Sequence, residues 1–196
     1  MPTEIALFPL STVLFPGGLL PLRIFETRYV DMVGRCMRRD ESFGVVLSKD
    51  GSETNSTVET AAIGTTARIV DFQTLPGGLL GLLCRGESRF RVTQRTQQSD
   101  GLNLASVEWL AHVPATALEP QYQPLVRLLR DALSRMDKLS RFIEPDYDSA
   151  DWVSYRLADL MPLPVLVQQR LLEIDDPNER LGLLAPLLDV DGHADP

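Results

Sequence analysis

The side chains that could act as nucleophiles, bases or metal ligands are few and scattered along this sequence. The two histidines are His112 and His193, and the two cysteines are Cys36 and Cys84. Nucleophilic catalysis needs a nucleophile, a base and an oxyanion donor held together, and the sequence has no Gly-x-Ser-x-Gly elbow. A zinc site needs Cys and His in close pairs, and neither cysteine has such a neighbour. We therefore predict no catalytic residue, no metal site and no cofactor.

The remaining chemistry-bearing residues support the same prediction. The two lysines, Lys49 and Lys138, fall in a predicted turn and on the polar side of a predicted helix. No Gly-x-x-x-x-Gly-Lys-Ser/Thr sequence is present, so no phosphate-binding loop is predicted. Asp146, Asp148 and Asp151 cluster, but the glycine and closing glutamate of a calcium loop are missing. We interpret these carboxylates as favourable charge at the start of a helix.

Composition is that of an ordinary globular protein with an acidic second half. The 196 residues are 44% hydrophobic and 23% charged, and the net charge is −8. Up to Pro114 there are 11 basic and 12 acidic residues, and after it 8 basic and 15 acidic residues. Acidic surfaces repel phosphate, so neither nucleic-acid nor membrane binding is expected. No apolar run is long enough for a membrane span and no signal-peptide pattern opens the chain, so we expect a cytoplasmic protein.

The first part of the chain is predicted to be β-rich with one helix. Short apolar or alternating runs bounded by Pro, Gly and Asp are typical of strands. They cover residues 4–10, 19–24, 43–47, 67–72, 79–84, 87–97 and 101–112. Apolar residues at helical spacing predict one helix over residues 26–39.

The second part of the chain is predicted to be helical, after a linker between Pro114 and Pro120. Leucines at helical spacing predict a long helix from Leu125 to Leu139. Further helices are predicted over residues 149–160, over 165–174 and from Asp176, which is a suitable N-cap. We therefore predict an α+β protein with a β-rich subdomain at 1–114 and a helical subdomain at 115–196.

Two surfaces are candidates for binding. In the strand around Phe90, period two places four arginines on one face, where they could bind acidic segments or phosphates: Arg85, Arg89, Arg91 and Arg95. The alternative is a solvent-facing strand balanced by Glu87 and a neighbouring carboxylate. The second surface is a glycine turn with four apolar neighbours: Leu75, Pro76, Leu79 and Leu80. Either this tip packs against the helical half or it is an apolar patch for a partner.

Several phrases of the sequence resemble one family over nearly the whole chain. The opening phrases are LFPL at residues 7–10, LFPGG at 14–18 and PLRIFETRY at 21–29, followed by FGVV at 43–46. GTTARI at 64–69 and RGESRF at 85–90 continue the match, and QRLLE at 169–173 and ERL at 179–181 close it. The chain resembles the Lon substrate-binding domain, the N-terminal module of ATP-dependent Lon proteases.

The resemblance implies a fold and structural roles. The fold would be a PUA-like pseudo-barrel with one helix, followed by a C-terminal helical bundle. No universal catalytic residue is known in this module. Of its motif residues, Pro16 and Gly17 would set a turn, Phe25 and Tyr29 would pack, Glu26 would cap the helix, and Arg28 and Arg89 would satisfy buried carbonyls.

The resemblance also implies a function. We expect a non-catalytic module that binds unfolded or flexible protein segments, with a role as an adaptor for a separate protease or chaperone. Two alternatives are a small independent peptidase or hydrolase and an RNA-binding PUA-like protein. A sequence isoelectric point of about 4.8 counts against RNA binding. The sequence does not indicate the client or the oligomeric state.

Overall fold

The computed structural model describes residues 3–48, 59–111, 116–135 and 140–188, which belong to two compact units, Met1–His112 and Val113–Pro196. In the described residues the first unit holds six strands and one α-helix, and the second holds four α-helices. The α+β class predicted from the sequence is confirmed. The PUA-like label and the bundle arrangement of the later helices stay predictions.

Some residues singled out above lie outside the described ranges. They are Lys49, His112, Pro114, Lys138 and His193. The end of the predicted long helix, from Met136 to Leu139, also lies outside the described residues.

The first unit is organised around one long strand. Its elements in chain order are β1 (Thr3–Leu10), β2 (Leu19–Ile24), α1 (Thr27–Arg39), β3 (Phe43–Leu47), β4 (Ile63–Thr74), β5 (Leu80–Gln97) and β6 (Asn103–Trp109). The two runs predicted at 79–84 and 87–97 are the single strand β5. Backbone pairing to β4 continues through Arg85 and Gly86, where the apolar pattern breaks.

The strand pairings close on themselves. β1 pairs with β3 in parallel, β3 with β4, β4 with β5, β5 with β6 and β6 with β1 in antiparallel fashion. β2 is added along the first half of β5, outside this ring. Register shifts interrupt the β4–β5 pairing at two places and the β5–β6 pairing at one. Such bulges bend a strand and increase its twist, which favours closure.

Helix α1 covers one face of the sheet. Its buried residues are Tyr29, Met32, Val33 and Cys36, which recur at helical spacing. The Tyr29 ring stacks on Phe8 of β1, with 4.1 Å between ring centroids. The helix therefore belongs to the same apolar core as the sheet.

Both cysteines lie in this core. Cys36 on α1 and Cys84 on β5 are buried free thiols. Burial raises the pKa of both, and that of Cys84 rises to about 12. The thiolate is the reactive form of cysteine, so these thiols act as small apolar side chains.

The second unit is built on its central helix. The helices are α2 (Gln123–Ser134), α3 (Ala150–Leu160), α4 (Val165–Glu173) and α5 (Pro177–Leu187), and α3 contacts the other three. The Ser149 hydroxyl caps α3 by accepting from the Trp152 N–H, and the Asp176 carboxylate caps α5 by accepting from the Asn178 N–H. The predicted N-cap Asp176 is confirmed.

A fully buried arginine ties α5 to α3. The guanidinium of Arg180 donates to the Ser154 hydroxyl (2.9 Å) and to the Ile174 carbonyl (2.6 Å). It also pairs with the Asp151 carboxylate (2.6 Å) and lies over the Tyr155 ring, 3.8 Å from its centroid. A buried cation needs this full set of partners because desolvation of the charge is costly.

We expect Asp151→Ala to lower the free energy of unfolding by about 3–5 kcal/mol, because it leaves the buried Arg180 cation without its counter-charge. Urea denaturation followed by tryptophan fluorescence measures this. The matched control is Asp148→Ala, which removes an exposed carboxylate and should change stability by no more than about 0.5 kcal/mol. Equal effects of the two substitutions would contradict the assigned role of the ion pair.

The raised pKa of Cys84 predicts a loss of stability in alkali. An unfolded thiol ionises near pH 8.5, while the folded thiol keeps its proton up to about pH 12. Between these values the folded state binds more protons, so stability is complete below about pH 8.5 and falls as pH rises, by up to about 1.4 kcal/mol per pH unit. Denaturation curves from pH 8 to 11 should show a shallower decline for Cys84→Ala than for the parent protein. Parallel declines would disprove this.

Candidate functional site

The turn between β4 and β5 presents apolar side chains to solvent. Its centre, Pro76–Gly78, is a tight turn in which Gly77 and Gly78 have φ angles of 81° and 78°. The Gly78 N–H donates to the Leu75 carbonyl (3.1 Å), and the Leu75 N–H donates to the Leu79 carbonyl (2.8 Å). Pro76 and Leu79 are exposed, and Leu75 and Leu80 are half-buried. The structure therefore brings together the four residues predicted from the sequence for this turn.

Two aromatic residues extend this apolar surface along the sheet. Leu80 is the Cα partner of Ile24 on β2 and of Thr74 on β4, so the strand ends lie side by side. Phe25 directly follows Ile24 and is 67% exposed, and Phe72 of β4 is 58% exposed. We call this group the hairpin surface: Phe25, Phe72, Leu75, Pro76, Leu79 and Leu80.

The exposure of Phe25 and Phe72 was not predicted from the sequence. The family resemblance implies that Phe25 packs, but the structure places it in solvent because it lies between the end of β2 and the start of α1. Phe72 was missed as a surface residue. The period-two pattern of β4 places Phe72 on the face of Arg68, but the register shift between Ile69 and Asp71 moves it to the face of Ile69, so alternation gave no correct signal.

The four arginines of β5 do not form one continuous exposed face. Arg89 is buried, Arg85 is half-buried, and Arg91 and Arg95 are exposed. Register shifts lie opposite β4 between Gly86 and Arg89, and opposite β6 between Val92 and Gln94. Each shift interrupts the strict alternation on which the shared face was predicted.

Two of these arginines illustrate different environments. The Arg95 guanidinium donates to the Thr60 hydroxyl (2.7 Å) and to the carbonyls of Thr60 (3.2 Å) and Ala61 (3.1 Å). It therefore anchors the segment before β4. Arg91 stands opposite Glu108 of β6. Binding by the four arginines stays a prediction.

Glu87 pairs with an arginine of β4, whereas the sequence analysis expected it to balance the arginines of β5. Its carboxylate pairs with Arg68 of β4 (2.6 Å) and accepts from the Ser42 hydroxyl (2.7 Å). Arg68 also pairs with Asp40 (2.6 Å), which ends α1 with a φ of 54°. Glu87, followed by Asp40, raises the pKa of Arg68. We call these four residues the Arg68 cluster.

The PGG turn before β2 is clasped to β5. Gly17 has a φ of 70°, which glycine adopts without strain, as the predicted turn requires. The Gly17 N–H donates to the Gly86 carbonyl (2.8 Å), and the Gly86 N–H donates to the Gly18 carbonyl (2.9 Å). A Cβ on Gly86 would overlap the Phe15 carbonyl oxygen, so the backbone segments at Phe15 and Gly86 approach too closely for a side chain at position 86.

At the start of α1 the structure separates two predicted roles. Glu26 occupies the N-cap position, but its side chain makes no capping hydrogen bond and pairs instead with Arg28 (2.7 Å). The Arg28 guanidinium donates to the carbonyl of Gly101 (2.8 Å), as expected for an arginine that satisfies a carbonyl. Arg28 thus links α1 to the turn before β6.

Neither a metal site nor a membrane span is found in the part of the chain that the structure describes. Its His, Cys, Asp and Glu residues form no group of three or more that could hold a metal ion. Its helices lack the combination of length and apolar character that crossing a bilayer requires.

Comparison with known proteins agrees with these features. Residues 4–190 match the family described as ATP-dependent protease La (LON) substrate-binding domain. The chain is 25% identical to the Lon protease of Cytophaga hutchinsonii, with 97% of this chain and 24% of that protein covered. It is 28% identical to the Lon protease of Escherichia coli K12, with 95% and 24% covered. The chain therefore spans about a quarter of the length of these relatives.

Solved structures show the same relationship. A crystal structure of a Lon N-terminal domain protein from Xanthomonas campestris is 38% identical with a TM-score of 0.78, covering 94% of this chain and 98% of that one. The N-terminal domain of the Mycobacterium avium complex Lon protease, at 16% identity and a TM-score of 0.62, covers 97% of this chain and 100% of that one and shares its fold. The chain belongs to the Lon substrate-binding domain family.

Proposed function

We propose that this protein is a non-catalytic module that binds unfolded or flexible protein segments through the hairpin surface. The observation that carries the proposal is the exposure of Phe25, Phe72 and Leu79 near the paired ends of β2, β4 and β5, in a family named for substrate binding. Exposed apolar groups that lie together are a common mark of a protein-binding surface.

The chemistry of the surface suits an unfolded chain. Unfolded segments expose the apolar side chains that a folded protein buries, and burying one large apolar side chain contributes about 1.5–3 kcal/mol. The proline and two glycines of the turn offer little hydrogen-bonding specificity, so contact would depend on apolar character more than on sequence. Of the four predicted arginines, Arg91 and Arg95 are exposed, and Arg91 would add attraction for acidic segments at a point on β5 separate from the hairpin surface.

The family relationship suggests where such binding is used. The relatives are Lon proteases, of which this chain matches only the substrate-binding part. We infer that bound segments are passed to a separate protease or chaperone, for which this protein is an adaptor. The proposal needs no catalytic residue in this chain.

Binding of a permanently unfolded protein tests the proposal. Reduced and carboxymethylated lactalbumin should bind the labelled full chain saturably, with NMR shifts concentrated on the hairpin surface. Phe72→Ser combined with Leu79→Ser should weaken binding by about tenfold or more, because truncating anchors in such a surface costs more than about 1 kcal/mol each. Both residues are already exposed, so folding should be preserved.

The matched control is Leu166→Ser, which removes an equally apolar side chain that is 72% exposed on α4. It should leave the affinity within about twofold, since it lies outside the hairpin surface. Absence of saturable binding would refute the function itself. Binding that the hairpin substitutions do not affect would refute the assigned surface.

A further inference from the structure

A second surface of the first unit has the features of a binding site. A cleft of about 630 Å³ is bordered by the C-terminal half of α1, the first half of β1 and the Arg68 cluster. This volume is in the range of clefts that hold small ligands, roughly 300–1,000 Å³. The cleft shares no residue with the hairpin surface.

One wall of the cleft is an unpaired strand edge. β1 pairs with β6 along Thr3–Leu7, but it pairs with β3 only from Leu7 onward. Residues 3–6 therefore have a strand on one side and none of the described strands on the other. All four of these residues line the cleft. An open edge exposes backbone N–H and C=O groups that an extended peptide can pair with.

The facing wall carries two arginines on one side of α1. Arg35 and Arg39 are separated by one helical turn, and both line the cleft. The structure records no ion pair or hydrogen bond for either side chain within the described residues. Like charges at this spacing disfavour the helix slightly, and a carboxylate bound between them would relieve the repulsion through charge-assisted hydrogen bonds.

The other lining residues restrict the ligand. The half-buried Ile5 and Leu104 offer apolar side chains to the cleft, Met32 is buried in the core, and Trp109 is 49% exposed. Of the acidic lining residues, Asp40 and Glu87 share the single positive charge of Arg68, and Glu4 and Glu41 are exposed. These two carboxylates would repel a polyacidic segment. The cleft therefore fits an apolar segment whose one negative charge lies at Arg35 and Arg39, away from these carboxylates.

We propose that this cleft binds the C-terminal end of a protein chain. The last residues of the ligand pair as a strand with residues 3–6 of β1. The terminal carboxylate is held by Arg35 and Arg39, and an apolar final side chain packs against Ile5 and Leu104. The proposal goes beyond the proposed function, because it adds a separate site that recognises a chain terminus.

A pair of short peptides tests the proposal on the full chain. The peptides share one alternating Val/Ala sequence ending in leucine, and they differ only in a free or an amidated C-terminus. We expect the free carboxylate to bind saturably in fluorescence anisotropy and to shift the Trp109 indole N–H signal. Amidation should weaken binding by about tenfold or more, because it removes a charge-assisted contact. This arm requires no protein variant.

Substitutions on α1 provide the second arm. Arg35→Gln combined with Arg39→Gln should weaken the free-carboxylate peptide by about tenfold or more and leave the amidated peptide unchanged. Arg38→Gln is the matched control, since Arg38 lies on the same turn and does not line the cleft. It should leave both affinities unchanged.

Several outcomes would overturn the proposal. These are equal binding of the two peptides, no binding of the free-carboxylate peptide, or tighter binding of an end-blocked peptide with an internal glutamate. An equal loss in Arg38→Gln would also count against it. Each of these can occur while unfolded lactalbumin still binds the hairpin surface, so failure of this proposal is distinguishable from failure of the proposed function.

Discussion

The hydrogen bonding of β5 is the constraint on which the first unit depends. One strand of 18 residues pairs with β2 and β4 over its first part and with β6 over its last part. Without it the ring would be open between β4 and β6, and β2 would have no partner among the described strands. The strand itself carries Leu80 and the four predicted arginines, and it pairs with β4, which carries Phe72, and with β2, which Phe25 follows.

The same strand separates two kinds of surface. Its first end forms the hairpin with β4, where the loop is short and apolar side chains remain exposed. Near its middle, Glu87 joins Arg68, Asp40 and Ser42 in a charged cluster at the border of the cleft. The hairpin surface thus presents apolar side chains, whereas the cleft combines apolar side chains with charged ones. Binding as proposed at the hairpin surface would be non-directional, whereas binding as proposed in the cleft would impose a direction on the ligand.

Much of the fold could be predicted from local patterns. The sequence predicts helix α1 because Tyr29, Met32, Val33 and Cys36 recur at helical spacing. It predicts Asp176 as an N-cap because capping is a local interaction. The turn at Leu75–Leu80 is also predicted from the sequence, since the conformation of a tight turn depends on adjacent residues. The family phrases extended this reading across the whole chain.

What the sequence did not reveal depends on distant partners. Strict alternation places the arginines of β5 on one face, but the register shifts that break this alternation are set by pairing with β4 and β6. Arg180 looks like a surface residue by type, and only the tertiary placement of Asp151 and Ser154 explains its burial. The side chain of Glu26 likewise pairs with Arg28 and makes no hydrogen bond to the helix amides, and the capping pattern alone does not predict this.

The clasp between the PGG turn and Gly86 has a consequence for how this module can evolve or be engineered. LFPGG and RGE are remote in sequence, yet reciprocal backbone hydrogen bonds and one forbidden Cβ make them a single structural part. Backbone-to-backbone hydrogen bonds tolerate changes of neighbouring side chains but not a displacement of either backbone segment. The two phrases should therefore be inherited, exchanged or grafted together, and a chimera that joins one to a foreign copy of the other must preserve the backbone path of both.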